Sequence, residues 1–143
     1  MVSAKKFVDC QTLLDSIARY ELWTPEGFDL LTFDDFERLY NGCGPEWMPC
    51  WTRRLLTMAL ILFALAFLIH DCDFALADGS KERFHAANLR LLRNCRRIVA
   101  ANYSWWRHPL RWFRWRRRAM WIYLSCDTLG FSAYEKASRA ETP

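Results

Sequence analysis

The feature that most constrains this chain is a run of fifteen uncharged, mostly apolar residues from Leu55 to Ile69, preceded by Arg53-Arg54 and followed by His70-Asp71. A helix of that length rises only about 22 Å, whereas a bilayer core needs about 20 apolar residues. The run therefore predicts a central core helix rather than a membrane span. Because a helix that is apolar all round must be covered all round, some of its surface is expected to face a lipid or a protein partner.

A second long helix is predicted directly after this run. Lys81 to Val99 carries apolar residues at helical spacing, and Ser80 is placed as its N-cap. The short connection through residues 78–80 predicts that the two helices form an antiparallel pair. The fold class expected is thus mainly α, a compact helical domain with a central antiparallel helix pair.

One domain of residues 1–143 is expected, with an acidic N-terminal helical part (1–39), a core (40–124) and a C-terminal tail (125–143) in which Phe131 and Tyr134 fold back. The first 50 residues hold nine acidic and four basic side chains, and the remainder holds seven and sixteen, for a net charge of +4. Either the two parts neutralise each other by packing, or a basic face is held out for an anionic partner.

The six cysteines follow an N-terminus without the apolar segment of a signal peptide. This combination predicts reduced thiols and a cytoplasmic protein.

A basic and aromatic segment runs from Tyr103 to Tyr123, with six arginines, eight aromatic residues and no acid. Its tryptophans could be core and its arginines solvated, or the segment could bind an anionic membrane surface, an acidic protein or a nucleic acid, which we rank below a membrane and a protein. The candidate anion-binding residues are Arg107, Arg111, Arg114, Arg116, Arg117, Arg118, Trp112 and Trp115.

His70-Asp71 offers a base and a carboxylate that can hold a cation. A glycine-containing segment, Tyr40 to Pro45, lies 25–30 residues earlier. Four motifs occur in order: Asn41-Gly42-Cys43-Gly44, Ala66-x-x-Ile69-His70-Asp71, Ala87-Asn88-x-x-Leu91-Leu92-x-Asn94 and Ser104-Trp105-Trp106-x-x-Pro109-Leu110-Arg111. Together they resemble a small phage and prophage family with a phospholipase A2-like core.

The resemblance implies a calcium-dependent phospholipid esterase. His70 would activate water with residue 88 as its partner, while Asp71 and the carbonyls of Gly42 and Gly44 would hold calcium. It also implies the cytoplasm of a bacterial host, with peripheral association with the membrane as a further expectation, and phospholipid or a host protein as partner.

Two positions depart from the family pattern. Residue 74 is Phe where the family usually has Tyr, and Asn88 stands where the acidic partner of the histidine is expected, with Asp73 or Asp78 as possible substitutes. These departures favour an alternative, a catalytically inactive scaffold that inhibits a host system by binding a protein, as anti-defence proteins do. A second alternative is a small membrane-associated protein.

Overall fold

The computed structural model describes residues 10–39 and 49–140, which form α-helices and turns without a strand. The helices are α1 (Cys10–Tyr20), α2 (Phe33–Leu39), α3 (Cys50–Ala59), α4 (Ala64–Ala75), α5 (Lys81–Asn102), α6 (Pro109–Leu129) and α7 (Phe131–Ala140), with single 3-10 turns at Phe28–Leu30 and Ile61–Phe63. The prediction of a mainly helical fold is confirmed.

The apolar run does not form the single helix that was predicted. The 3-10 turn Ile61–Phe63 divides it between α3 and α4. Neither proline nor glycine marks the break. The turn packs on α5. The division separates an exposed part from a buried part: Leu55 in α3 is exposed, whereas Phe63, next to α4, is fully buried.

Helix α4 is the centre of the core. Residues 64–70 are seven consecutive buried positions, which only a helix covered on all sides can show. Helices α1, α2, α5 and α7 supply this cover. Within the described ranges, no helix combines the length and hydropathy that crossing a bilayer requires.

Helix α5 is longer than predicted, because it continues to Asn102, and α6 continues to Leu129, into the segment predicted as a tail. Ser80 caps α5, as predicted, because its Oγ accepts a hydrogen bond from the backbone N–H of Arg83 at 3.3 Å. The residues predicted as a tail form the end of α6 and α7. Tyr134 in α7 is fully buried, and Phe131 and Tyr134 both pack on Phe84, so the expected folding back is observed.

Several side chains of α5 hold the segment after α1, among them Arg97, which donates to the backbone carbonyl of Glu21. Asn94 is fully buried, and its amide accepts from the backbone N–H of Trp23 at 3.0 Å and donates to the carbonyl of Trp23 at 2.8 Å. The guanidinium of Arg93 lies over the Trp23 ring. These contacts hold the acidic N-terminal part against the basic α5.

Candidate functional site

His70 lies in the last two turns of α4 and is 8% exposed. Its ring packs on the ring of Phe74, one helical turn later, with 4.4 Å between centroids. Phe74 in turn contacts Phe84 and Tyr134. An aromatic cluster from α4, α5 and α7 therefore fixes the orientation of the imidazole.

A chain of hydrogen bonds runs from His70 through α5 to α6, and we call it the His70 relay. Nε2 of His70 lies 3.0 Å from Oδ1 of Asn88, and Nδ2 of Asn88 donates to Oδ1 of Asp127 at 3.1 Å. Nδ1 of His85 lies 2.8 Å from the same Asp127 oxygen. Asn88 is fully buried, so both ends of its amide are engaged inside the protein.

The carboxylate at the end of the relay determines the tautomer of His70. A carboxylate accepts only, so the NH2 group of Asn88 must face Asp127 and its oxygen must face His70. Nε2 of His70 therefore carries the proton and donates it to Asn88. In the neutral ring, Nδ1 is left with a lone pair that can accept a proton.

Burial lowers the pKa of His70 to about 4, with a further contribution from the positive charge of Arg90, while the hydrogen bond to Asn88 opposes the shift. The imidazole is thus neutral at pH 7. Asp127 stays ionised, because the hydrogen bond from His85 lowers its pKa. Along the relay, the amide of Asn88 therefore separates His70 from the nearest negative charge, that of Asp127.

Asp127 was not among the residues singled out from the sequence, because it lies in the segment predicted as a tail. A signal was present: Asp127 is the first acidic residue after Glu82. It is the only acidic residue in α6, so any carboxylate of α6 that contacts α5 must be Asp127. The suggested substitutes have other partners, since Asp73 pairs with Arg90 and Asp78 accepts from Ser80 and pairs with Arg83.

No protein-family model, curated protein or solved structure matches the chain. The resemblance drawn from its motifs therefore stays an expectation.

The expected calcium ligands are described only in part. Asp71 is half-buried in α4, and its charge, after burial, helps raise the pKa of the Cys126 thiol to about 11. Gly42 and Gly44 lie outside the described residues. Within the described ranges, no group of three or more His, Cys, Asp or Glu side chains is arranged to hold a metal.

The basic and aromatic segment forms the turn before α6 and most of α6. Trp112 and Trp115 pack partly against the core, as the structural alternative required. Trp105, Trp106 and Trp121 are instead 67%, 62% and 66% exposed. The segment is therefore not simply a helix with its tryptophans buried on one face and its arginines solvated on the other. Guanidinium groups cover several rings, in the pairs Arg107–Trp106, Arg116–Trp112, Arg117–Phe113 and Arg118–Trp115.

Proposed function

We propose that this chain is a phospholipase A2-like protein of the phage or prophage type, in which His70 activates water for hydrolysis of a phospholipid ester. The observation that carries the proposal is the buried hydrogen bond from Nε2 of His70 to Asn88, which leaves Nδ1 as a proton acceptor. A neutral histidine oriented by a fixed partner is the arrangement that general-base catalysis requires.

The packing of the two helices that carry these residues also supports the proposal. Phe74 lies beside Phe84, and His70, one turn earlier in α4, lies beside Asn88, one turn later in α5. From the first contact to the second, the position in α4 moves one turn toward its start, while the position in α5 moves one turn toward its end. An antiparallel pair of helices produces this pattern. The order and orientation expected from the phospholipase A2 resemblance are therefore compatible with the contacts observed.

In the proposed reaction, Nδ1 of His70 takes a proton from water, and the hydroxide attacks the ester carbonyl. The proton returns from His70 to the leaving alkoxide as the carbon–oxygen bond breaks, which yields a fatty acid and a lysophospholipid. Asn88 holds the ring through both steps, but an amide stabilises the imidazolium less than a carboxylate does. Asp127 supplies a negative charge behind it.

Calcium belongs to the proposal through Asp71. Its half-buried carboxylate is the kind of oxygen donor that a hard cation takes, with the carbonyls of Gly42 and Gly44 as the other proposed ligands. When bound, the ion would polarise the ester carbonyl. Asp71→Asn should therefore abolish calcium binding measured by calorimetry.

The test is fatty-acid release from mixed phosphatidylcholine and phosphatidylglycerol vesicles by the purified chain with calcium. His70→Gln keeps a donor for Asn88 but removes the base, so release should fall by at least about 100-fold, the contribution typical of a general base. The matched control is His108→Gln, because His108 is exposed and lies outside the relay. Equal rates in the parent and His70→Gln would refute the proposal.

A second function is favoured by the surroundings of His70. The ring is 8% exposed, Phe74 packs on it, and its partner is an amide. We propose as the alternative a catalytically inactive scaffold that acts as a protein-binding inhibitor of a host system. This alternative predicts no fatty-acid release with or without calcium. In both cases we propose the cytoplasm of a bacterial host, with peripheral association with the membrane, as the location.

A further inference from the structure

A cleft of about 200 Å³ opens where the end of α5 meets the first half of α6. Its lining consists of three arginines and two aromatic residues: Tyr103, Arg111, Arg114, Trp115 and Arg118. The volume is below the range of about 300–1,000 Å³ that is usual for drug-sized ligands. The cleft therefore suits a small group rather than a large organic ligand.

The aromatic wall of the cleft is built into the core. The ring of Trp115 packs edge-to-face on the fully buried Phe63, with 5.3 Å between centroids. Tyr103 packs against the same core and makes an edge-to-face contact with His108. The guanidinium of Arg118 lies 4.5 Å from the Trp115 ring centroid, so the core also positions one of the three charges. Packing on the core thus fixes the aromatic side of the cleft.

The positive charges that line the cleft favour binding of an anion. Arg111, Arg114 and Arg118 are three and four residues apart, which places them on one face of α6, where like charges repel. Neither Arg111 nor Arg114 has an ion pair with a carboxylate among the described residues. The first turn of α6 contains no acid, although the positive end of the helix dipole favours one there. A bound anion would offset the repulsion between the three arginines.

We propose that this cleft binds a phosphate group. Guanidinium groups match phosphate oxygens with paired hydrogen bonds, and three arginine side chains line the same small cleft as two aromatic side chains. The phosphate can be that of a lipid headgroup or of free phosphate. No residue of the His70 relay lines the cleft, so the proposal is independent of the proposed esterase activity.

Two triple variants with the same loss of charge test the proposal. Arg111→Gln/Arg114→Gln/Arg118→Gln empties the cleft of charge, whereas Arg107→Gln/Arg116→Gln/Arg117→Gln removes three arginines of the same segment that do not line it. Inorganic phosphate is titrated by calorimetry up to about 10 mM, a range that covers a dissociation constant of about 1 mM. Loss of two or more charged hydrogen bonds should weaken binding at least about tenfold in the first variant. Binding in the control should change less than about threefold.

A second arm distinguishes the sources of phosphate. Binding to phosphatidylglycerol vesicles that the first triple variant loses, the control retains and inorganic phosphate reverses would identify a lipid headgroup. Phosphate binding with that same dependence, but no vesicle binding, would identify free phosphate. Each result supports the cleft.

Three results would overturn the proposal. The parent could bind neither probe, or both triple variants could lose binding equally, which would indicate general attraction to the segment. An oligonucleotide could bind while phosphate does not, which would assign the segment to nucleic acid. Should the first triple variant fail to melt cooperatively, Arg111→Lys/Arg114→Lys keeps the net charge and should still weaken phosphate binding by about threefold or more.

Discussion

Nε2 of His70 donates a buried hydrogen bond of 3.0 Å to Oδ1 of Asn88 across the contact between α4 and α5. The other end of the same amide is held by Asp127, so Asn88 can face the histidine only with its oxygen. A carboxylate at residue 88 would favour the imidazolium, whereas the amide leaves the buried ring neutral. Most of the chemistry proposed for this site depends on the neutral state of the ring.

The first prediction concerns the dependence of stability on pH. The pKa of His70 is about 4 in the folded chain and about 6.5 when unfolded, so the unfolded state binds more protons between these values. Stability is therefore lost as the pH falls from about 6.5 towards 4. Relative to His70→Gln, which does not titrate, the parent should lose about 2–3 kcal/mol between pH 7 and 4.5. Urea unfolding at several pH values measures the free energy of unfolding of both proteins. The same pH dependence in the parent and in His70→Gln would contradict the prediction.

The second prediction exchanges the two residues of the relay that follow His70, namely Asn88 and Asp127. In Asn88→Asp/Asp127→Asn, the new carboxylate at position 88 contacts His70, and the new amide at position 127 in α6 donates to that carboxylate. The hydrogen bonds are kept, while the negative charge moves next to the imidazole ring. The pKa of His70 should rise from about 4 to the ordinary histidine range or above. NMR titration of the His70 ring measures this. Asp127→Asn alone is the control and should leave the pKa of His70 low; the same pKa in both variants would disprove the relay.

The sequence was sufficient to predict α5 and the cap at Ser80, because both depend on local spacing. Residue 88 was expected as the partner of His70, but Asp73 and Asp78 were left open as substitutes, and the structure shows the contact with Asn88. The sequence was not sufficient to predict the break at Ile61–Phe63, which neither proline nor glycine marks and which packs on the distant helix α5. Asp127 was missed for a related reason: its role depends on how α6 lies along α5, a long-range contact that periodicity does not report.

The third prediction concerns α7. Tyr134 is fully buried among Phe74, Phe84 and Phe131, so Tyr134→Ala should destabilise the fold by about 3–5 kcal/mol, as removal of large buried aromatic side chains does. Tyr134→Phe should cost less than about 1 kcal/mol, because the hydroxyl lies 3.5 Å from Asp78, a long hydrogen bond. Urea unfolding measures both. Unchanged stability in Tyr134→Ala would mean that α7 is dispensable.

The fourth prediction concerns Asn94. Asn94→Leu leaves the backbone N–H and carbonyl of Trp23 without their partner and should cost about 2–4 kcal/mol. Hydrogen exchange at the Trp23 amide should accelerate more than exchange in the middle of α5. The control is Ala100→Leu, which places the same new residue at an exposed position of the same helix. Equal effects of the two substitutions would show that Asn94 does not fix the N-terminal segment.

The most direct test of the account is the pH profile of fatty-acid release at saturating calcium, for the parent and His70→Gln. A base whose pKa is about 4 remains unprotonated down to about pH 5, so kcat/KM should stay constant from pH 8 to 5 and fall below that. The variant should show no release above background at any pH. A decline centred near 6.5 would show that His70 is not the desolvated, Asn88-bound base described here, and equal activity in His70→Gln would show that it is not the base.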